Sequence, residues 1–172
     1  DKLDRAIRYD RMLHALIFTM SGLPILYSGD EVAQENDYDY HRNSLKRGDS
    51  RYLHRGDFLW DAAEKAKSPD TPEGKLFSGL RELERLRAAY RVFDGQADVW
   101  IVDTGDDGVL GIGRYHQGEK LIALFNFSDG AKTISANELG EYTDLLTGAP
   151  CDKHASPVAA GDFRWLHCEF KD

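Results

Sequence analysis

The spacing of hydrophobic residues changes near residue 90, from helical periodicity in residues 2–21 and 71–90 to alternation in the residues that follow. Within residues 2–21, apolar side chains recur at steps of three and four, which predicts an amphipathic helix. This stripe consists of Leu3, Ala6, Ile7, Leu13, Leu16, Ile17 and Met20. Gly22 and Pro24 follow and predict the end of the helix. His14 lies beside the stripe and is interpreted as a packing residue.

A short apolar run, Leu23–Tyr27, lies between Gly22 and Gly29. It is too short for a helix and predicts a strand that is buried on both faces. Such a strand needs neighbouring strands, which we expect upstream of this chain. Asp30 and Glu31 come next, and in a parallel α/β barrel the residues past a strand's carboxyl end face the active site. The alternative is that this acidic pair begins a solvated loop.

Residues 32–70 show no periodicity and predict a loop far longer than ordinary connections. The tyrosines of the loop, together with Phe58 and Trp60, argue against disorder, because disordered segments are poor in aromatic residues. We predict an enlarged loop that builds a binding surface. The alternative is that the aromatic side chains only fix the loop to the protein.

A second amphipathic helix is predicted from Thr71 to about residue 90. Thr71 can act as the N-cap, and Pro72 suits the first helical turn. The apolar face consists of Leu76, Leu80, Leu83, Leu86 and Tyr90. The charged residues between them are interpreted as an exposed face without a function.

After residue 90, apolar and polar residues alternate between turn sequences, which indicates short strands. The predicted strands are residues 99–102, 109–115, 120–127, 133–134, 142–146 and 163–170. Short strands joined by hairpin turns predict an antiparallel sandwich or meander. The pattern changes at Arg91–Gly95, so we predict one domain in residues 1–92 and an all-β domain in residues 93–172.

Composition narrows the classes of partner and site. The chain has 172 residues, a hydrophobic content of 41% and a formal net charge of -8. This acidic balance argues against nucleic acid or an anionic membrane as a partner. Cys151 and Cys168 are the only cysteines, and no CxxC motif or histidine at ligand spacing accompanies them, so we predict no metal site. We expect two buried free thiols, with one disulfide as the alternative, and a cytoplasmic location.

Four sequence segments resemble glycoside hydrolase family 13, the α-amylase superfamily. Gly22–Glu31, with the sequence GLPILYSGDE, resembles the last barrel strand of that family. Asp49–Arg55, with the sequence DSRYLHR, is similar to the amylosucrases and sucrose hydrolases of the family. Arg91–Gly95 and Ala123–Ser128 resemble the same group. The resemblance covers nearly all of this chain but only the C-terminal part of such an enzyme.

The resemblance implies an α/β fragment followed by an all-β part. The first would be the last part of a (β/α)8 barrel, containing a helix, strand 8, a long loop and helix 8, and the second would be an antiparallel β-sandwich called domain C. The catalytic carboxylates of the family lie on earlier strands, so we expect this chain to be inactive alone. Asp30 and Glu31 cannot replace them, because adjacent residues of an extended chain point in opposite directions. No cofactor is implied.

Arg51 is the site residue that the resemblance assigns. In amylosucrases the matching arginine pairs with an upstream aspartate and closes the bottom of the sucrose pocket. A planar guanidinium suits this role because it can bind a carboxylate through two parallel hydrogen bonds. Without that partner, we expect the Arg51 side chain to point into water. Weaker substrate-binding candidates are Asp49, His54, Arg55, Asp30 and Glu31.

The function implied is that of a sucrose-active glucosyltransferase or hydrolase, which transfers glucose from sucrose to an α-glucan or to water. Its partners would be sucrose, α-glucan and the missing upstream barrel segment. An α-glucosidase or a trehalose-forming relative is the alternative within the superfamily. A third interpretation takes residues 91–172 as a non-catalytic accessory domain that stabilises the barrel or binds glucan.

Overall fold

The computed structural model describes residues 2–135, 141–151 and 155–170. The chain forms two compact units, one of Asp1–Pro24 with Gly79–Asp172 and one of Ile25–Ser78. The α-helices are α1 (Lys2–Thr19), α2 (Trp60–Lys65) and α3 (Pro72–Ala89). Short 3₁₀ helices occupy Asp30–Val32, Tyr40–Arg42, Ser50–His54 and Arg91–Phe93. The strands are β1 (Asp98–Val102), β2 (Val109–His116), β3 (Glu119–Asn126), β4 (Lys132–Ile134), β5 (Thr143–Asp144), β6 (Ser156–Val158) and β7 (Phe163–Glu169).

The division of the chain into a domain of residues 1–92 and an all-β domain of residues 93–172 stays a prediction. Over the described residues, no helix is both long enough and apolar enough to cross a lipid bilayer.

Helix α1 forms where the periodicity predicts it, but the apolar stripe is not the side of the helix that is buried. Its buried residues are Met12, His14, Ala15, Phe18 and Thr19. Much of the predicted stripe is exposed, including Leu3 at 51% and Ile17 at 47%. The helix is apolar on more than one side, so periodicity identifies a helix without choosing the side that the sheet covers. His14 is a packing residue as predicted, and its Nδ1 lies 3.0 Å from the carbonyl oxygen of Asp10.

Five strands of the first unit form an antiparallel sheet in the order β1-β2-β3-β7-β5. The predicted turn between β2 and β3 is present at Gln117 and Gly118, whose φ angles are 47° and 82°. Two consecutive positive φ values match the right-handed twist of hairpin strands. The antiparallel all-β part is therefore confirmed as a sheet, whereas the domain-C sandwich stays a prediction.

A two-stranded ribbon, β4 with β6, accompanies the sheet. Ile134 and Val158 of the ribbon share one buried cluster with Leu124 and Leu166 of the sheet. Strand β6 was not predicted, because Pro157 at its centre removes a backbone donor and is atypical of strands. Both cysteines are thiols, as expected, with Cys151 buried and Cys168 half-buried.

A fully buried arginine of β2 contacts the end of α1. Arg114 donates hydrogen bonds to the carbonyl oxygens of Thr19 at 2.7 Å, Val92 at 2.8 Å and Asp94 at 2.8 Å. Trp165 donates from its indole nitrogen to Thr19 Oγ1 at 2.9 Å. Positive charge at a helix C-terminus complements the helix dipole and satisfies carbonyls that lack an intrahelical donor. These bonds fix where α1 ends.

The chain forms no strand at Leu23–Tyr27, where the sequence predicts one that is buried between neighbours upstream of this chain. Leu23 is 92% exposed and Ile25 is 83% exposed. No strand of the described residues pairs with this segment. A strand cannot form alone, because its backbone donors and acceptors need a neighbouring strand.

Helix α3 begins as predicted. Thr71 Oγ1 accepts a hydrogen bond from the backbone N–H of Gly74 at 3.0 Å, which is the expected N-cap contact. The four leucines of the predicted apolar face are each at most 2% exposed. The helix ends one residue before Tyr90, which is half-buried.

Candidate functional site

The predicted acidic pair begins a short 3₁₀ helix in the unit Ile25–Ser78. The backbone N–H of Gly29 donates to Glu31 Oε2 at 2.8 Å, and that of Tyr27 donates to Asp30 Oδ2 at 3.3 Å. Gly29 adopts a φ of 104°, a conformation that side chains rarely permit. Both carboxylates therefore stabilise the turn. Their contact with a substrate stays a prediction.

Arg51 lies in the 3₁₀ helix Ser50–His54 and is held by Asp49 of the same motif. Its Nε lies 2.9 Å from Asp49 Oδ1 and its Nη2 lies 2.7 Å from Asp49 Oδ2, so the two side chains form a bidentate ion pair. Arg51 does not extend into water unpaired, because Asp49 of the same motif holds its guanidinium. The Arg51 side chain is nevertheless 69% exposed, so its outer edge faces solvent.

Asp49 organises this motif electrostatically. The hydrogen bonds from the Arg51 side chain, followed by the bond from its backbone N–H, lower the pKa of Asp49 to about 2. The same pairing raises the pKa of Arg51. Both groups are therefore charged across the physiological pH range.

The two remaining candidates of the motif have different surroundings. His54 Nδ1 lies 2.9 Å from the side-chain oxygen of Asn36, a contact that fixes the loop across 18 residues. Arg55 follows the 3₁₀ helix, and its backbone N–H donates to the carbonyl of Tyr52 at 3.2 Å. Both side chains are exposed. Their roles in binding stay predictions.

An apolar cavity of about 590 Å³ lies in the same unit. It is lined by Ser28, Glu31, Val32, Phe58, Trp60, Ala63, Ala66, Lys67 and Phe77. Phe58 and Trp60 meet edge to face with ring centroids 4.9 Å apart, and Trp60 is 76% exposed. Among the predicted substrate-binding residues, Glu31 alone lines this cavity. Aromatic walls with one carboxylate acceptor can bind a ligand that has both apolar faces and hydroxyl donors.

The sequence analysis identified the aromatic residues of this cavity but not the helix that supplies its opposite side. Ala63, Ala66 and Lys67 belong to or follow α2, which lies inside the predicted loop. The run Trp60–Ala66 is rich in alanine and other strong helix formers, and this could have indicated the helix. Its six-residue length gives too few turns for a clear periodic pattern.

Comparisons with known proteins point to one family. No family model matches the sequence. A cyclomaltodextrinase of Thermoanaerobacter pseudethanolicus is 28% identical over 138 residues, which are 79% of this chain and 20% of that enzyme. Among solved structures, the trehalose-6-phosphate hydrolase TreA of Bacillus licheniformis matches 95% of this chain with a TM-score of 0.72 and 18% identity. An α-amylase of Anoxybacillus matches 95% with a TM-score of 0.69 and 18% identity.

These relatives and structural neighbours are enzymes of glycoside hydrolase family 13. The chain spans about a fifth of the length of the cyclomaltodextrinase, 39% of TreA and 32% of the amylase. The structural matches show a shared fold. The predicted resemblance to glycoside hydrolase family 13 is therefore confirmed, because the similar proteins are enzymes of that family. The closer resemblance to amylosucrases stays a proposal.

Proposed function

We propose that this chain is the C-terminal part of a family 13 enzyme that acts on an α-glucoside. In this proposal it supplies a sugar-binding loop, while the catalytic carboxylates lie elsewhere in the intact protein. The substrate we propose is sucrose, with transfer of glucose to an α-glucan or to water. The chain's coverage of only a fifth of its curated relative supports the view that the activity belongs to a longer protein.

The pre-oriented guanidinium of Arg51 is the observation that carries this proposal. Asp49 receives Nε and Nη2, whereas Nη1 makes no hydrogen bond with the described residues. An arginine held in this way keeps free donors for a sugar hydroxyl or for a second carboxylate. The pairing with Asp49 also favours one direction of the guanidinium before the ligand arrives.

The cavity beside Glu31 gives independent support for a sugar ligand. Its volume of about 590 Å³ lies within the usual range for small-molecule sites, about 300–1,000 Å³. The exposed indole of Trp60 can pack against the apolar face of a sugar ring. Glu31 can accept a hydrogen bond from a ring hydroxyl.

An α-glucosidase or a trehalose-forming relative is the second candidate. The likeness of the fold to TreA, a trehalose-6-phosphate hydrolase, supports this reading. A non-catalytic accessory or carbohydrate-binding module is the third, since the sheet of the first unit has its own buried core.

The test measures kcat/KM of the full-length protein on sucrose, maltotriose and trehalose, with Arg51→Ala, Arg51→Lys and Arg55→Ala as variants. We expect sucrose to be preferred, and we expect both Arg51 variants to lose activity by on the order of 10²-fold through misplacement of the sugar. Arg51→Lys should fail because an ammonium cannot form two parallel hydrogen bonds. Arg55→Ala is the matched control and should cost much less.

Melting temperatures measured alongside separate folding from binding. Near-full activity of Arg51→Lys, or a larger loss in Arg55→Ala, would contradict the role of Arg51. A preference for trehalose or maltotriose would favour the second candidate. The isolated chain should release no glucose from sucrose above a buffer blank, and release by a contaminant-free preparation would contradict the proposed location of the catalytic groups.

A further inference from the structure

Three potential metal ligands meet at one end of the β3–β7 pair. Glu119 on β3 is the register partner of Glu169 on β7, and His167 precedes Glu169 by two residues. In paired strands these three positions share one face of the sheet. One donor atom from each residue lies within 4.8 Å of the other two. Only the strand register brings them together, so the ligand spacing along the sequence gave no indication of the group.

His167 gives a second, independent indication of a missing ligand. Its side chain is 8% exposed, and its Nε2 lies 3.5 Å from Glu119 Oε2 without a hydrogen-bond partner among the described residues. Burying a polar atom without a partner is unfavourable, so such atoms call for an explanation. Tyr90 packs edge to face on the imidazole at 4.7 Å, which holds the ring toward Glu119.

The negative charges around these three residues exceed the positive charges, so a further cation can bind. Carboxylates on directly opposed strand positions repel each other. Arg91 Nε donates to Glu119 Oε1 at 2.9 Å, and the backbone N–H of Val92 donates to Oε2 at 3.0 Å. The two glutamates therefore face one guanidinium, and the Arg91 side chain is 59% exposed and able to move. Each carboxylate oxygen of Glu119 retains a second lone pair.

We propose that Glu119, His167 and Glu169 bind a divalent transition-metal ion, with Zn²⁺ as the best match to one imidazole and two carboxylates. In a four-coordinate site whose donors lie about 2.0–2.2 Å from Zn²⁺, the donors lie roughly 3.3–3.6 Å from one another. The present separations of up to 4.8 Å therefore require an approach of about 1 Å or slightly more. Glu169 can provide it, because its exposed side chain lies at the end of β7. A water molecule would complete a four-coordinate site.

The test is a calorimetric titration of the metal-free chain with Zn²⁺, using His167→Gln and Glu169→Gln as site variants. We expect one ion per chain, and an affinity loss of at least about tenfold in each variant. His41→Gln and Glu141→Gln are matched controls at exposed positions outside the group, and they should bind as the wild type does. If His167→Gln fails to fold, Glu169→Gln still tests the site, because Glu169 is exposed and its substitution should leave the fold intact.

Two further measurements locate the ion. Backbone amide signals that shift on addition of Zn²⁺ should be those of residues 118–120 and 166–170. Arg91→Gln should tighten binding several-fold, because it removes a competing cation from Glu119. Absence of binding, equal affinity in the wild type and both site variants, shifts elsewhere in the chain, or weaker binding in Arg91→Gln would overturn the proposal.

Discussion

At the scale of single residues, the interior of the first unit contains a buried charge that is bound by backbone carbonyls. Arg114 is fully buried and donates to the carbonyl oxygens of Thr19, Val92 and Asp94 at 2.7–2.8 Å. Burial lowers its pKa, yet an arginine stays protonated at any pH that proteins tolerate. Its hydrogen bonds must therefore offset the cost of removing the charge from water.

We expect Arg114→Met to lower the free energy of unfolding by about 3 kcal/mol or more, because the three carbonyls lose charged donors. Arg114→Lys should also lower the free energy of unfolding, since one ammonium group cannot reproduce the hydrogen-bond geometry of a planar guanidinium. Urea denaturation measures both effects. Arg85→Met, at an exposed position of α3, is the control and should change the free energy by less than about 0.5 kcal/mol. Equal effects at the two arginines would contradict this account.

Asp49 provides a pH prediction. Its folded pKa, about 2, lies below the ordinary value, so the pairing with Arg51 is fully present above pH ~4 and is lost as the pH falls through about 2. A ¹³C NMR titration of the Asp49 carboxyl should show that midpoint. In Arg51→Gln the midpoint should rise toward the ordinary value. Arg55→Gln, which removes only a minor cause, should raise it less, and the reverse order would contradict the assignment.

At the scale of elements, the β1–β2 pair depends on a glycine that accommodates a large ring. Gly113 is the register partner of Trp100, and a Cβ atom added at Gly113 would lie 2.1 Å from the indole Cε2. The indole thus occupies the space that a side chain on β2 would need. Trp100 packs against the buried cluster, so moving it would disturb the core.

Gly113→Ala should therefore lower the free energy of unfolding by about 1–3 kcal/mol, as overpacking usually does. The tryptophan fluorescence of the folded variant should also change, because the ring must move. Gly95→Ala is the control, since no atom lies within 4 Å of the added Cβ there. A variant at Gly113 as stable as the control would show that the indole moves without cost.

The elements also show which features the sequence could predict. Helices α1 and α3 and most strands of the sheet follow from local periodicity, N-cap residues and turn residues. Strand β6 was missed because proline is atypical of strands, and α2 because it is too short to show a period. The predicted strand Leu23–Tyr27 depends on partners that no local pattern can supply. In the candidate site, the Asp49–Arg51 motif is local and was identified, but its internal ion pair depends on side-chain geometry.

At the scale of the whole molecule, the two units differ in how their backbone hydrogen bonds are made. The unit with the sheet contains α1 and the strands β1 to β7 that the described residues form. The unit Ile25–Ser78 contains three short 3₁₀ helices, α2 and the first turns of α3, joined by irregular segments. Backbone that lacks a regular ladder opens more readily to solvent.

Amide hydrogen exchange should resolve this difference. We expect residues 121–125, which are fully buried on β3, to exchange slowest, together with Ala15 and Phe18 of α1. Amides of residues 41–48, most of which are exposed, should exchange orders of magnitude faster. Equal protection of these two groups in a monomeric sample would contradict the prediction.

The contact between Arg114 and Thr19 also sets an order of events during biosynthesis. The two residues are separated by 95 positions, and the indole that binds Thr19 lies 146 positions downstream of it. Ribosomes add about 5–20 residues per second, so α1 emerges several seconds before the groups that complete its C-terminal end. A helix of 18 residues is marginal in water without such contacts. Until β2 and β7 have been synthesised, Thr19 at the end of α1 lacks the guanidinium and the indole that bind it in the folded protein, so the end of the helix becomes fixed only at the end of synthesis.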